Sequence, residues 1–130
     1  MTTTDLTTIL LQLRAEIESR IREEISGPLN AGKRFLYDTV MPVHLNIIGD
    51  SQECNLEFLS GGNVQLHTGL ASNPDVTVKG DLTSLRNAIL QRSASVFEEA
   101  EQSGRIVVAS HTWKGEQAMR RVRDMLGSNQ

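Results

Sequence analysis

A chain of 130 residues, 38% of them hydrophobic, has the length of one ordinary domain with one core, enough to bury about two-thirds of its unfolded surface. A formal net charge of -3 argues against general nucleic-acid binding, which draws on Lys and Arg to neutralise phosphates, and Phe35, Tyr37, Phe58, Phe97 and Trp113 are too few aromatics to stack bases. The single cysteine, Cys54, rules out an intrachain disulfide and points to a reduced, cytoplasmic setting.

The N-terminal stretch has neither the basic lead of a signal peptide nor the apolar run of a membrane span. Instead Leu6, Ile9, Leu10, Leu13, Ile17, Ile21 and Ile25 recur at steps of three and four, which predicts one amphipathic helix with Leu11 off its stripe. Gly27 and Pro28 stop it. Residues 28–42, "PLNAGKRFLYDTVMP", show no clean period and read as an irregular or short helical connection.

Four short runs rich in β-branched and apolar residues follow, "VHLNIIG", "CNLEFLS", "VQLHTGL" and "DVTVKG". The brief links between them predict an antiparallel meander over at least the first three strands. Alternation places Leu56, Phe58, Val64, Leu66, Val76 and Val78 on one face and Asn55, Glu57, Gln65, His67, Thr77 and Lys79 on the other, so one face of the sheet is expected to be covered. Gly80-Asp81 then turns strand into helix. One glycine followed by a carboxylate is unsuited to phosphate, so Asp81 is expected to cap the helix that begins at Leu82. "SVFE" at Ser95 matches a capping box for a second short helix ending at Gly104. "RIVVAS" is a fifth strand, and a final helix from Thr112 to Leu126 aligns Ala118, Met119, Val122, Met125 and Leu126.

The chemistry-bearing residues are sparse. His44, His67, His111 and Cys54 stand in no metal-ligand spacing, so no metal site is expected. His67 with Asp75 could form an acid-base pair, but no activated nucleophile accompanies them, and the simpler reading is a surface histidine and a strand-end aspartate. Lys114, Arg120, Arg121 and Arg123 on the last helix would suit an anionic membrane surface, or equally a solvated face; "KRFLY" at Lys33 to Tyr37 poses the same choice.

From about Val43 to Leu126 the pieces "CNLEFLSGGNVQL", "NPDVTVKGDLTSLRNAIL" and "SGRIVVASHTWKGEQAMRRVRDML", with their spacing, resemble the sterol carrier protein domain family of small nonspecific lipid carriers. "PDVTV" stands where that family has an Ala-Asp-x-Thr-Ile/Val strand, and "GRIVV" where it has Gly-Lys-Ile/Leu-x-Ile. The acidic "QRSASVFEEAEQ" departs from the Gly-Lys and Pro that members often carry between the middle helices. The resemblance implies an α+β fold: a five-stranded, mixed but mainly antiparallel sheet, with helices over one face and an apolar tunnel between the layers. The tunnel-facing candidates it implies are Phe58, Leu66, Val78, Leu85, Ile89, Phe97, Val108, Val122 and Leu126.

A single domain is therefore expected, with an N-terminal helix over 1–27, a connection over 28–42 and a sterol-carrier-like core over 43–127. The helix is expected to serve as a lid or an interaction surface. The implied function is non-enzymatic: carriage of a lipid or other long apolar molecule without metal or organic cofactor. The alternative is an accessory protein for enzymes that act on apolar intermediates such as quinone precursors. Transient contact with a membrane surface or a protein, and a homodimer, are compatible with either. Burial of each methylene contributes about 0.8 kcal/mol, so no sharp polar motif is required. An empty cavity of about 300 Å3 would cost roughly 7 kcal/mol at ~24 cal/mol per Å3, so a tunnel should be occupied or collapsed.

Overall fold

The computed structural model describes residues 5–127, with side chains through Asp124. Asp5 opens the fold as an N-cap, accepting from the Thr8 N–H at 2.8 Å, and α1 runs from Leu6 to Ile25. All seven stripe residues of α1 are buried. The helix is thus a wall of the main core. A 3-10 turn at Pro28–Asn30 leads into α2, Ala31–Val40. Of the two readings of this connection, irregular or short helical, the helical one is found. It lacked a readable period because Tyr37 is its single buried residue, while Phe35 and Leu36 stay exposed.

The strands are β1 (Val43–Gly49), β2 (Gln52–Phe58), β3 (Val64–Thr68), β4 (Val76–Gly80) and β5 (Ile106–Ser110), in the order β3-β2-β1-β4-β5. β1, β2 and β3 form the expected antiparallel meander; β1 and β4 pair in parallel, and β4 with β5 antiparallel. Helices α3 (Leu82–Gln91) and α4 (Ala94–Gln102) connect β4 to β5, and α5 spans Trp113–Gly127. This is the α+β arrangement anticipated, a mixed five-stranded sheet with a long helix at its N-terminal end.

Two local expectations change. Ser93, not Ser95, caps α4, accepting from the Val96 N–H at 3.2 Å. The helix therefore starts a residue before the supposed cap. The outer sheet face is also only partly bare. To reach β4 from the far edge, the chain after β3 must pass β2 and β1, and it does so over the outer face: Asn55 Nδ2 donates to Gly69 O (3.1 Å), while Asn46 donates to Ala71 O (3.0 Å) and accepts from Ala71 N (2.8 Å). Both asparagines are buried with their hydrogen bonds made.

Asp81 caps α3 as predicted, accepting from Ser84 N at 2.8 Å, and that bond holds its carboxyl below the ordinary range. At Gly80 a β-carbon would lie 2.7 Å from Arg105 O, so the corner requires glycine for space. A second close approach fixes α5. Buried Asp75 accepts from His44 N (2.9 Å) and from Thr112 Oγ1 (2.8 Å), Thr112 Oγ1 accepts from Gly115 N (3.0 Å), and Gly115 rests against the Asp75 carbonyl.

At the sheet margin, Leu59 N donates to Asn63 O, which leaves both peptide groups of Val64 pointing away from β2. Glu18 accepts from Val64 N (2.8 Å) and Arg14 donates to Val64 O (2.9 Å), so α1 covers the start of the edge strand.

Candidate functional site

Between α1, α2 and α5 the helical layer leaves an open cleft of about 1270 Å3. The helical stripe of α1 brings Ile17, Ile21 and Ile25 to one wall, and α5 brings Trp113, Ala118 and Val122 to the other. Phe58, at the end of β2, and Met41 lie between them. The third wall is a single face of α2: Lys33, Leu36, Tyr37 and Val40 stand at the three- and four-residue steps that align side chains along a helix. Arg20, Lys33, Lys114, Arg120 and Arg121 outnumber Glu23, Glu24 and Asp124 around the cleft, in a chain whose net charge is negative.

Several of these charges tie the walls together. Arg121 on α5 pairs with Glu24 on α1 and lies 5.8 Å from the Tyr37 ring centroid. Lys114 donates to Pro42 O at 2.7 Å. The basic face of α5 noted in the sequence is therefore largely engaged, since Arg123 also pairs with Glu101 and Arg120 with Glu116. Tyr37 is 7% exposed, and its hydroxyl is the one buried side-chain polar atom among the described residues without a hydrogen-bond partner. Burial pushes its pKa up to about 12.

Of the sequence candidates, Phe58 and Val122 line this cleft. Val78, Leu85, Ile89 and Phe97 are buried in the core between sheet and helices, with Leu66 and Val108 packed half-buried against it. None of these six borders the cleft. The side chain of Leu126 lies outside the described residues. The cleft instead recruits Ile17, Ile21, Leu36 and Tyr37, from the segment before the family-like stretch.

The suggested His67–Asp75 pair does not form. His67 Nε2 lies 2.9 Å from Glu57 Oε1 and His44 Nε2 lies 3.2 Å from Glu57 Oε2, on the outer sheet face, whereas Asp75 is consumed at the start of α5. The hydrogen bond with His67 is the main cause that holds the Glu57 carboxyl below its ordinary value, with His44 adding to it. Among the described residues no cluster of His, Cys, Asp and Glu could hold a metal ion, and no helix is long and apolar enough to cross a membrane.

Helices backing a β3-β2-β1-β4-β5 sheet give this chain a sterol-carrier-protein-like fold. Solved structures bear this out over nearly the whole chain. One titled "UbiJ-SCP2 Ubiquinone synthesis protein" matches with a TM-score of 0.52 at 18% identity, covering 90% of this chain and 97% of that one. Sterol Carrier Protein 2 Like 2 from Aedes aegypti matches with a TM-score of 0.51 at 16% identity over 91% and 97% of the two chains. A conserved hypothetical protein of Thermus thermophilus gives 0.50 at 14% identity over 97% and 85%. Such identities establish the fold alone. No protein-family profile matches the chain, nor does any curated protein sequence.

Proposed function

We propose that this protein binds and carries a lipid or other long apolar molecule in the cleft between α1, α2 and α5. The observation that carries the reading is the cleft itself, a large concavity with Ile17, Ile21, Phe58 and Val122 in its walls on a sterol-carrier-like fold. It exceeds the ~300–1,000 Å3 typical of small-molecule sites, which suits an extended chain. Binding is by burial and no reaction is assigned. The histidine–glutamate cluster, the best candidate for acid-base work, sits on the opposite face of the sheet. The buried free thiol of Cys54 favours a cytoplasmic home.

Leu29, Phe35, Leu36 and Trp113 are 97%, 71%, 68% and 68% exposed, and the last two border the cleft. Leu36 and Trp113, with Lys33 beside Leu36 at the cleft, suit the uptake of a ligand from an anionic lipid surface. Mass spectrometry of an organic extract, run beside a mock purification, tests the carrier reading. A stoichiometric apolar molecule is expected. Finding none, together with an unchanged emission of the single tryptophan Trp113 on titration with apolar probes, would overturn it.

The same exposed residues favour a second reading, presentation of an apolar intermediate to partner enzymes. The neighbour titled a ubiquinone synthesis protein suggests a quinone precursor as that intermediate. Its signature in the extract would be a prenylated aromatic ring rather than a mixture of membrane lipids.

A further inference from the structure

The two edges of the sheet differ. At the start of β3, α1 meets the outward peptide groups of Val64. β5 is the other edge, and among the described residues nothing comparable lies along it. His111 N donates to Asp75 O and Asp81 N to Arg105 O, one at each end of the ladder between β4 and β5. Antiparallel bonding alternates along a strand, so Val107 and Ala109 also bond to β4, and the peptide groups of Ile106, Val108 and Ser110 point away from the sheet. Gly80 shows the same alternation from the β4 side: it stands opposite Ile106, yet its carbonyl accepts from Asp50 N, just past β1. No side chain or loop among the described residues bonds to the outward groups of Ile106, Val108 or Ser110.

Two devices that discourage a further strand from adding to such an edge are missing. Ile106–Ser110 contains neither proline nor a charged residue. Its shortness, five residues, is the restraint that remains. Val107 is 59% exposed, with Ala109 exposed on the same outer face.

We infer that β5 pairs antiparallel with β5 of a second copy of this chain about a two-fold axis at Val108, joining the two sheets into one. The register is self-complementary. Val108 faces the partner's Val108 and Ile106 faces the partner's Ser110, so every outward N–H meets an outward C=O. On the outer face Val107 lies across from the partner's Ala109, an apolar cross-strand pair, and no like charges meet within the paired stretch. A second copy meets these conditions with its own sequence, which an arbitrary partner strand does not. None of Ile106–Ser110 borders the cleft, so the inference stands apart from the carrier reading.

The contact is small beside the roughly 20–30 residues a side of a standard interface, so association should be weak and concentration-dependent. The test is sedimentation velocity of the full chain from about 5 to about 500 µM, with reductant present to keep Cys54 from cross-linking, beside amide exchange resolved by NMR. The sedimentation coefficient should rise with concentration from that of a monomer toward that of a dimer. Over the same range exchange at Ile106, Val108 and Ser110 should slow, about tenfold once about nine-tenths of the chain is paired, while Val107 and Ala109 stay protected throughout. Val108→Pro removes an outward N–H and no bond to β4, so it should keep the wild-type circular dichroism and remain monomeric at the highest concentration. A wild type that stays monomeric overturns the inference. So does a dimer in which those three amides exchange as fast as in the monomer, since its contact would lie elsewhere, and so does a folded Val108→Pro that associates like the wild type.

Discussion

Replacing Gly115 by alanine tests how α5 is seated. A β-carbon there would lie 2.2 Å from Asp75 O, 2.7 Å from Asp75 C and 2.9 Å from Val76 Cγ2. Ordinary carbon contacts sit at about 3.5–4.0 Å, so the start of α5 would have to withdraw by roughly 1 Å. Overpacking of this kind costs about 1–3 kcal/mol. Withdrawal also stretches two bonds, from His111 N to Asp75 O and from Thr112 Oγ1 to Asp75 Oδ1, both 2.8 Å, each contributing about 0.5–1.5 kcal/mol. Against this, alanine gains about 1 kcal/mol of helix propensity over glycine. The expected balance is a loss of about 2–3 kcal/mol, or roughly 6–12 °C in melting temperature for a chain of this size. Urea unfolding followed by circular dichroism, with a thermal melt alongside, measures it. A variant as stable as the wild type, or more stable, would refute the reasoning, because propensity would then have outweighed contact.

Tyr37 is the single tyrosine, so absorbance at 295 nm reports its titration directly; ionisation near pH 12 is expected, and a midpoint near 10 in the folded protein would contradict its burial. Since the folded value is raised, the associated stability is present below the unfolded value and is lost as pH climbs from about 10 toward 12. Glu57 has the opposite sign. Its depressed value contributes stability above the ordinary glutamate range that disappears as pH falls through the folded value, so Glu57→Gln should flatten the acid limb of a urea-midpoint profile, and parallel profiles would exclude the contribution. Ser93→Ala should cost about 1 kcal/mol through loss of the α4 cap, whereas Ser95→Ala, inside the helix, should be nearly neutral by the same urea assay.

What could be read beforehand depended on how much of each element is buried. α1 buries a whole stripe, β1, β2 and β4 bury most of a face, and β3 and β5 alternate about one buried residue, so period and turn residues located them. α2 buries Tyr37 alone, so no stripe of apolar residues marks it as a helix. Ser93 and Ser95 are both capping residues by type, and the choice between them rests on which backbone torsions the turn after α3 imposes, where Arg92 takes the left-handed conformation. The parallel pairing of β1 with β4 has no local signal; the family likeness implied a mixed sheet without saying which strands run parallel. The site was partly legible for a related reason. An inward-facing apolar residue looks the same in sequence whether it meets a neighbour, as Leu85 does, or borders a cleft, as Val122 does. The spacing of Lys33, Leu36, Tyr37 and Val40 was the available signal for the remaining wall.

The hold of α1 on Val64 also bears on how copies of this chain could meet. Glu18 and Arg14 stand in for a neighbouring strand, one accepting and the other donating where a foreign backbone would have to. A sheet shared between two molecules could not begin at that residue without first displacing a helix whose apolar stripe lies in the core. The start of the margin is closed from within the fold, so strand pairing at Val64 would have to displace the Glu18 and Arg14 contacts rather than meet a bare edge.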